Sequence, residues 1–303
     1  MKSKKIITIS VGISAFNEAE NIRNLINGIF SQKLQRNKKI TEIILASDGS
    51  TDHTIQKAKS FRNRKIKIIT GAKREGKNKR LNQIFSAFTG DVLVLLDADI
   101  VLGGNNVINN IVNVFVHENN IGLVAGSVQP LLAKMLPEKA FNNYVHSLNF
   151  IKSKINNGNN IYSARGPLLA LSKSFAKKIV LPKNVPDDRY VYLLCIKDGY
   201  RFHYEKQSKV FFKAAQLLSE QINQANRYHT QRESLEMYFD KNLIDREYFV
   251  PFSLKVTALF LQVIRNPLAY ITMKYIQINV LFKRDRNITE IWKITNSTKN
   301  LSI

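Results

Sequence analysis

An unbroken apolar run, Val92-Leu93-Val94-Leu95-Leu96, stops abruptly at Asp97-Ala98-Asp99. A short run with no polar side suits a strand covered on both faces, as in the parallel sheet of a doubly wound α/β fold. The segments before it follow the same logic. Residues 6–13 are apolar and β-branched, and residues 20–30 then place Ile22, Leu25, Ile26 and Ile29 at helical spacing. Residues 42–46 and 66–70 read as further strands, and residues 51–61 and 77–88 as helices, the last with Leu81, Ile84, Phe85 and Phe88 on one face. This alternation predicts a mainly parallel sheet flanked by helices. Ligands of such sheets bind beyond the carboxyl ends of the strands. Three of those ends are polar: Ala15-Phe16-Asn17-Glu18, Ser47-Asp48-Gly49-Ser50-Thr51-Asp52 and Asp97-Ala98-Asp99. All three are expected on one rim.

The second half is more mixed. Residues 121–128 and 168–171 read as strands, 138–155 and 188–197 as helices, and 216–239 as a long polar helix. Beyond Tyr248 come two apolar segments, 249–264 and 268–282, separated by Asn266-Pro267. Ser253, Lys255 and Gln262 interrupt the first, and Tyr270, Lys274, Tyr275 and Gln277 the second, so neither is a clean membrane-spanning helix. Two readings stay open: a helical hairpin packed on the domain's own core, or interfacial helices lying on an anionic membrane. The basic residues at their borders, Lys255, Arg265, Lys274, Lys283 and Arg284, favour the second. The expected division is a domain over 1–245 and a helical, membrane-associated appendage over 246–303.

With 303 residues, 44% hydrophobic and 23% charged, the chain has the composition of a globular protein with a sizeable core. Its single cysteine, Cys195, rules out an internal disulfide framework and any Cys-rich zinc site, and its apolar neighbours predict a buried thiol. A formal net charge of +23 draws the chain to polyanions. No helix-turn-helix, zinc or RNA-recognition signature accompanies that charge, so no nucleic-acid partner is expected. The basic, apolar opening mimics a secretion signal, but Thr8, Ser10, Gly12 and Ser14 interrupt it and Asn17-Glu18 follows at once. A first strand accounts for it better. The expected location is therefore cytoplasmic, peripheral at the cytoplasmic face of the membrane.

Two carboxylates one residue apart at a strand end can share a hard divalent cation, and Mg²⁺ or Mn²⁺ is the expected cofactor. The alternative reading makes one of them the cap of a following helix. Residues 71–78, Gly-Ala-Lys-Arg-Glu-Gly-Lys-Asn, nearly spell a phosphate-binding P-loop, but Asn78 lacks the hydroxyl that motif puts on Mg²⁺. A P-loop hydrolase would also leave Asp48, Asp99 and Asp188 without work. A nucleotidyltransferase would carry a Gly-rich basic loop after the first strand, where Ala15-Phe16-Asn17-Glu18 stands.

Taken in order, Val11-Gly12-Ile13-Ser14-Ala15-Phe16-Asn17-Glu18, Asp48-Gly49-Ser50-Thr51-Asp52, Gly76-Lys77 with Leu81-Asn82, Gly90-Asp91 and Asp97-Ala98-Asp99 resemble the family 2 inverting glycosyltransferases of GT-A fold, over about residues 6–240. The resemblance implies that Ala15 and Glu18 line the base and ribose pocket and that Asp48 bonds a uracil-type base. It places Gly76 and Lys77 beside the nucleotide, with Lys77 facing phosphate. It puts Asp97 on the ribose or a metal-bound water, and Asp99 on the metal. Pro186-Asp187-Asp188-Arg189 stands where the family carries its acidic pair, which makes Asp188 the catalytic base. Ala164-Arg165-Gly166-Pro167 resembles the loop under the sugar. Gln224-Ala225-Asn226-Arg227-Tyr228 resembles a Gln-x-x-Arg-Trp motif with Tyr for Trp, which gives Arg227 the diphosphate. Read without the family, Asp48 could be an Asx-turn residue, Asp52 and Asp188 helix caps, and the Arg227 stretch a solvated helix face; for Asp52 the cap is preferred. The expected partners are a nucleotide-sugar donor, a glycan or lipid-linked acceptor, and an anionic membrane surface.

Overall fold

A computed structural model describes residues 6–282, 295–299 and 301, without the side chains of 227–232 and 296. In chain order β1 (Ile7–Ala15), α1 (Ile22–Phe30), β2 (Lys38–Ser47), α2 (Thr54–Lys59), β3 (Ile66–Thr70), α3 (Lys77–Ala87) and β4 (Val92–Asp97) alternate as the pattern predicts. Then follow β5 (Ile100–Leu102), α4 (Val107–His117), β6 (Ile121–Pro130), α5 (Leu136–Lys154), β7 (Leu168–Ser172), α6 (Lys173–Ala176), α7 (Asp187–Lys197) and β8 (Arg201–Phe212). Among the described residues, four α-helices follow: α8 (Leu218–Leu235), α9 (Lys241–Glu247), α10 (Phe252–Arg265) and α11 (Pro267–Phe282).

The described strands form one sheet in the order β3-β2-β1-β4-β7-β6-β8-β5. The first four run parallel, whereas β7 is antiparallel to both β4 and β6, and β5 is antiparallel to β8. The first half is thus the parallel sheet that the alternation predicts, and the second half makes the whole sheet mixed.

Strand geometry explains the apolar run in β4. Side chains alternate across the sheet: Val92, Val94 and Leu96 enter one core with α1 and α4, while Leu93 and Leu95 enter another with α3, α6 and α7. The same alternation explains the interruptions in β1. Ile9, Val11 and Ile13 face the first core. Gly12 lies on the opposite face, where an added Cβ would come within 2.6 Å of Ile84. On that face too, Ser10 donates to Glu42 at 2.5 Å.

Glu42 is the hub of a buried polar knot, accepting from Ser10, from Thr89 N and Oγ1, and from Lys67 Nζ at 2.6 Å. Burial alone would raise its carboxyl, but the Lys67 ammonium and the Ser10 and Thr89 donors hold it at about 2. A depressed carboxyl gives stability that is complete above its unfolded value and lost as pH falls toward 2. Acid unfolding followed by circular dichroism should therefore show Glu42→Gln losing stability at neutral pH and carrying a shallower acid dependence than wild type. An unchanged acid limb would remove Glu42 from this role.

β5, α4 and β8 lie outside the segments that the sequence pattern marks. α4 is rich in asparagine, and β8 mixes Glu205, Lys206, Gln207 and Lys209 into its alternation and shifts register against β6. The C-terminal helices are present: α10 and α11 pack on α5, and Ala269, Met273 and Ile276 bury against Ala140, Phe141, Tyr144, Leu218 and Ile222.

Candidate active site

The strand ends converge as the sequence predicts. Asn17, in the left-handed region at φ 53°, receives a bond from Thr51 N at 2.8 Å on its side-chain oxygen, and its own N–H donates to Ser50 Oγ. Asp48 N donates to Ala15 O at 2.8 Å. Ala15 is the buried last residue of β1, and Glu18 N donates to Thr54 Oγ1 at 2.7 Å. Asp52 accepts from Thr54 N, at the start of α2, and from Ala19 N, both at 3.0 Å. The N-cap of α2 is nevertheless His53, so Asp52 stands one residue before the cap and the cap expectation is not met. Asp52 is an Asx-turn residue with a second bond to the neighbouring turn.

Asp48 is only 5% exposed, and both its oxygens are engaged. Oδ1 accepts from Glu75 N and Arg80 Nε, and Oδ2 from Gly76 N, each at 2.9 Å. The carboxylate thereby shapes the loop that ends at Gly76, whose φ of 95° suits glycine. These N–H groups are the kind a P-loop would offer to phosphate, so the P-loop reading falls. Asn78, its failing residue, instead donates to Pro182 O and Val185 O. Arg80 is 1% exposed and also reaches Glu75 at 2.8 Å. Removing one partner of a buried ion pair strands the other charge. Asp48→Ala should therefore cost about 3 kcal/mol in denaturant unfolding. The double variant Asp48→Ala/Arg80→Met should cost less than Asp48→Ala alone, and an additive loss would refute the pairing.

The Asp97-Ala98-Asp99 turn leads into a strand, not a helix, which disposes of the helix-cap alternative. Asn21 pins this turn by donating to Ala98 O at 2.7 Å and Ile100 O at 2.9 Å. Burial and the Asp97 charge push the Asp99 carboxyl up, against a smaller opposing pull from Lys77. Lys77, the first residue of α3, places Nζ 2.7 Å from Asp97 Oδ1 and 3.0 Å from Asp187 Oδ2. Despite burial, Asp187 and Asp97 hold the ammonium charged, its pKa raised above the usual lysine value. Lys77 therefore bridges one strand-end carboxylate, Asp97, to Asp187 of the acidic pair, 90 residues away.

Asp187 and Asp188 open α7. Asp188 accepts from Gly166 N at 3.2 Å and Arg189 N at 2.7 Å. Burial raises its carboxyl most; Arg189 opposes this and the Asp187 charge adds to it. The loop that delivers this pair is clamped from α3. Asn78 and Asn82, one turn apart, both reach it, Asn82 through a reciprocal pair of bonds to the Leu181 backbone at 2.8 Å. Gly166 lies over the Lys77 bridge: an added Cβ would stand 3.2 Å from Lys77 Nζ and 3.6 Å from both Asp187 and Asp97. The backbone thus approaches three charged groups at once, and only glycine leaves that space open.

Arg227 and Tyr228 fall within α8, and their side chains lie outside those described. Gly90 and Asp91 prove structural. They sit at the opposite end of β4, where Asp91 accepts from Thr8 N and Oγ1 at 2.9 and 2.7 Å. Cys195 is buried, and burial pushes its thiol up to about 12, as the apolar setting predicts.

Residues 10–179 match the profile described as Glycosyl transferase family 2. The chain belongs to glycosyl transferase family 2. Among solved structures, this glycosyltransferase is similar to the mannosyltransferase PcManGT from Pyrobaculum calidifontis in complex with GDP-Man and Mn²⁺. That likeness has a TM-score of 0.56 at 18% identity, over 92% of this chain and 76% of that one. It is also similar to glucosyl-3-phosphoglycerate synthase from Mycobacterium tuberculosis, with a TM-score of 0.53 at 17% identity, over 76% of this chain and 78% of the other. These likenesses fix the GT-A fold. A dolichol-phosphate mannosyltransferase from Pyrococcus furiosus is 32% identical over 93 residues, 30% of this chain and 26% of that protein. The match thus spans about a quarter of that relative's length.

Proposed function

We propose that this enzyme transfers a hexosyl group from a nucleoside-diphosphate sugar, a UDP-sugar first, to an acceptor hydroxyl with inversion. The observation carrying this reading is the Lys77 bridge, which places Asp97 and the Asp187-Asp188 pair around Gly166, beside the turn that ends in Asp99. The donor diphosphate would lie at Asp97 and Asp99, and the acceptor hydroxyl at Asp188, which takes its proton as the new bond forms. Arg227 completes the diphosphate contacts, and Ala15, Glu18, Asp48 and Gly76 line the nucleoside side.

Asp97 and Asp99 would hold Mg²⁺ or Mn²⁺. The donor set is two hard carboxylates, and since no group of three or more His, Cys, Asp or Glu side chains among the described residues could hold an ion, the fit depends on substrate phosphates. Such an ion takes one or two carboxylates and completes its shell with substrate phosphates. When bound, it neutralises charge that develops on the departing diphosphate. Calorimetric titration of UDP and GDP, with Mn²⁺ and then with EDTA, tests the reading, and no metal-dependent binding of either would sink it. GDP-mannose is the second reading, favoured by the likeness to two mannosyltransferases. GDP binding without UDP binding would establish it.

The acceptor we propose is a glycan or lipid-linked molecule in cell-surface polysaccharide or glycolipid synthesis, met at the cytoplasmic face of the membrane. Supporting this, α10 and α11 expose Phe252, Phe260, Ile264, Ile271 and Phe282 to solvent, each by more than 60%, on a chain with net charge +23. No single described helix is long and apolar enough to span a bilayer, though α9 and α10 together, bent by 48°, have the length and composition. An exposed apolar face with basic neighbours suits the interface instead. The triple variant Phe252→Ser/Phe260→Ser/Ile271→Ser should cut partitioning onto phosphatidylglycerol vesicles by about tenfold or more. Unchanged sedimentation with vesicles would end the membrane proposal.

A further inference from the structure

Outside the motifs, Lys299 reaches into the nucleoside side of the site from the far end of the chain. Its ammonium donates to Phe16 O at 2.7 Å, to Asn17 O, and to Glu18 Oε1 at 2.9 Å. A lysine has three N–H donors and no acceptor, so these bonds account for every hydrogen on the group. Two successive carbonyls and a carboxylate can surround one cation only if the chain curls around it, and Asn17 takes the left-handed conformation that curls it. Lys299 thus holds one oxygen of Glu18, while the other, Oε2, is buried and has no hydrogen-bond partner among the described residues.

The segment carrying Lys299 is anchored at its other side. Gln216 N donates to Ser297 Oγ at 2.9 Å, that hydroxyl also bonds the Glu220 carboxylate, and Gln224 Nε2 donates to Thr295 Oγ1 at 3.3 Å. Leu301 is buried. Residues 295–299 therefore tie the start of α8 to the turn after β1. Arg74 stacks on the face of Phe16 at 4.0 Å, and Lys299 approaches the same ring at 6.0 Å. The turn after β1 is accordingly held by a residue 283 positions away in the sequence.

We propose that residues 295–299 form a strap completing the donor pocket, with Lys299 as the positioning residue that sets the Phe16-Asn17-Glu18 turn for nucleoside binding. This rests on the donor-site reading above. The strap acts before chemistry: it fixes acceptor atoms that the nucleoside meets and touches neither the acidic pair nor the acceptor hydroxyl. Its loss should weaken binding and spare turnover at saturation. Charge-assisted bonds are the strong ones, and arginine, keeping the charge but not the compact three-donor shape, should restore part of the effect.

The test is calorimetry of UDP and GDP with Mn²⁺ on the full chain, Lys299→Met, Lys299→Arg and a chain ending at residue 294, with thermal unfolding of each alongside. Lys299→Met keeps the aliphatic stem, so it remains informative if the shortened chain unfolds. The expected result is a Kd raised about tenfold in Lys299→Met, for one lost charge-assisted contact. Lys299→Arg should fall in between, and kcat should stay within about threefold of wild type in both. Unchanged binding in Lys299→Met overturns the strap while leaving the donor site standing. Tighter binding overturns it too, since the segment would then be a plug that the nucleotide displaces. No nucleotide binding by the wild-type chain sinks the strap together with the reading it rests on.

Discussion

Replacing Asp188 with asparagine should lower kcat by about a thousandfold, within the range of general-base contributions, while nucleoside-diphosphate affinity stays near wild type. The separation follows from geometry. Asp188 is held by the N–H groups of Gly166 and Arg189 at the start of α7, one on each oxygen. An asparagine oxygen keeps one of these two bonds, and the clamps from Asn78 and Asn82 still hold the loop. The lost capacity is that of taking a proton. An acceptor hydroxyl is a poor nucleophile until a carboxylate removes its proton, and an amide cannot. Burial and the Asp187 charge raise the Asp188 carboxyl, which makes it a stronger base once ionised. The acid limb of the kcat/KM profile should accordingly lie above the usual carboxylate range, since activity requires the deprotonated form. Turnover at the wild-type rate in Asp188→Asn would remove the residue from this role, as would an acid limb at an ordinary carboxylate value.

The residues that point at chemistry were legible because their signals are local. Asp97-Ala98-Asp99 follows a strand that only a doubly covered sheet accommodates, and Asp48-Gly49-Ser50 and Asp187-Asp188 are short strings read in order. The residues that hold them in place left no comparable trace. Asn21 carries no reading, Asn78 stands only as the residue that breaks a P-loop, and Asn82 only as part of the Leu81-Asn82 string, yet each donates to backbone carbonyls between 77 and 107 residues away. Arg80 reads as one of many surface cations on a chain of net charge +23, whereas it is among the most buried side chains present. Phe16 was visible only as an aromatic residue within a motif; its stacking with Arg74 depends on the loop that Asp48 shapes. A contact made across the fold carries no periodicity, so a pattern of 2 or 3.6 residues cannot announce it. The sheet's second half was partly hidden for a related reason: β8 alternates only in part, because its register shifts against β6.

Asp99→Asn should stabilise the protein without metal and abolish metal-dependent nucleotide binding. A carboxyl whose folded value is raised favours the protonated state, so at neutral pH, where it must ionise, it subtracts from folding stability. Burial and Asp97 impose that cost on Asp99; Asp97 has the Lys77 ammonium at 2.7 Å to offset its own charge. An amide at 99 removes the repulsion and nearly preserves the shape. Wild-type protein with Mn²⁺ and UDP at a hundred times the Kd should gain about 2.7 kcal/mol, and Asp99→Asn should gain almost none. Thermal unfolding with and without ligand reads both halves at once. The expected outcome is a crossing, with the variant more stable alone and the wild type more stable when loaded. Such a crossing is what a site kept for function at the expense of stability produces. A variant less stable than wild type alone, yet still stabilised by Mn²⁺ and UDP, would mean that Asp99 shapes the turn after β4 and that the ion, if any, is held by Asp97 and the phosphates.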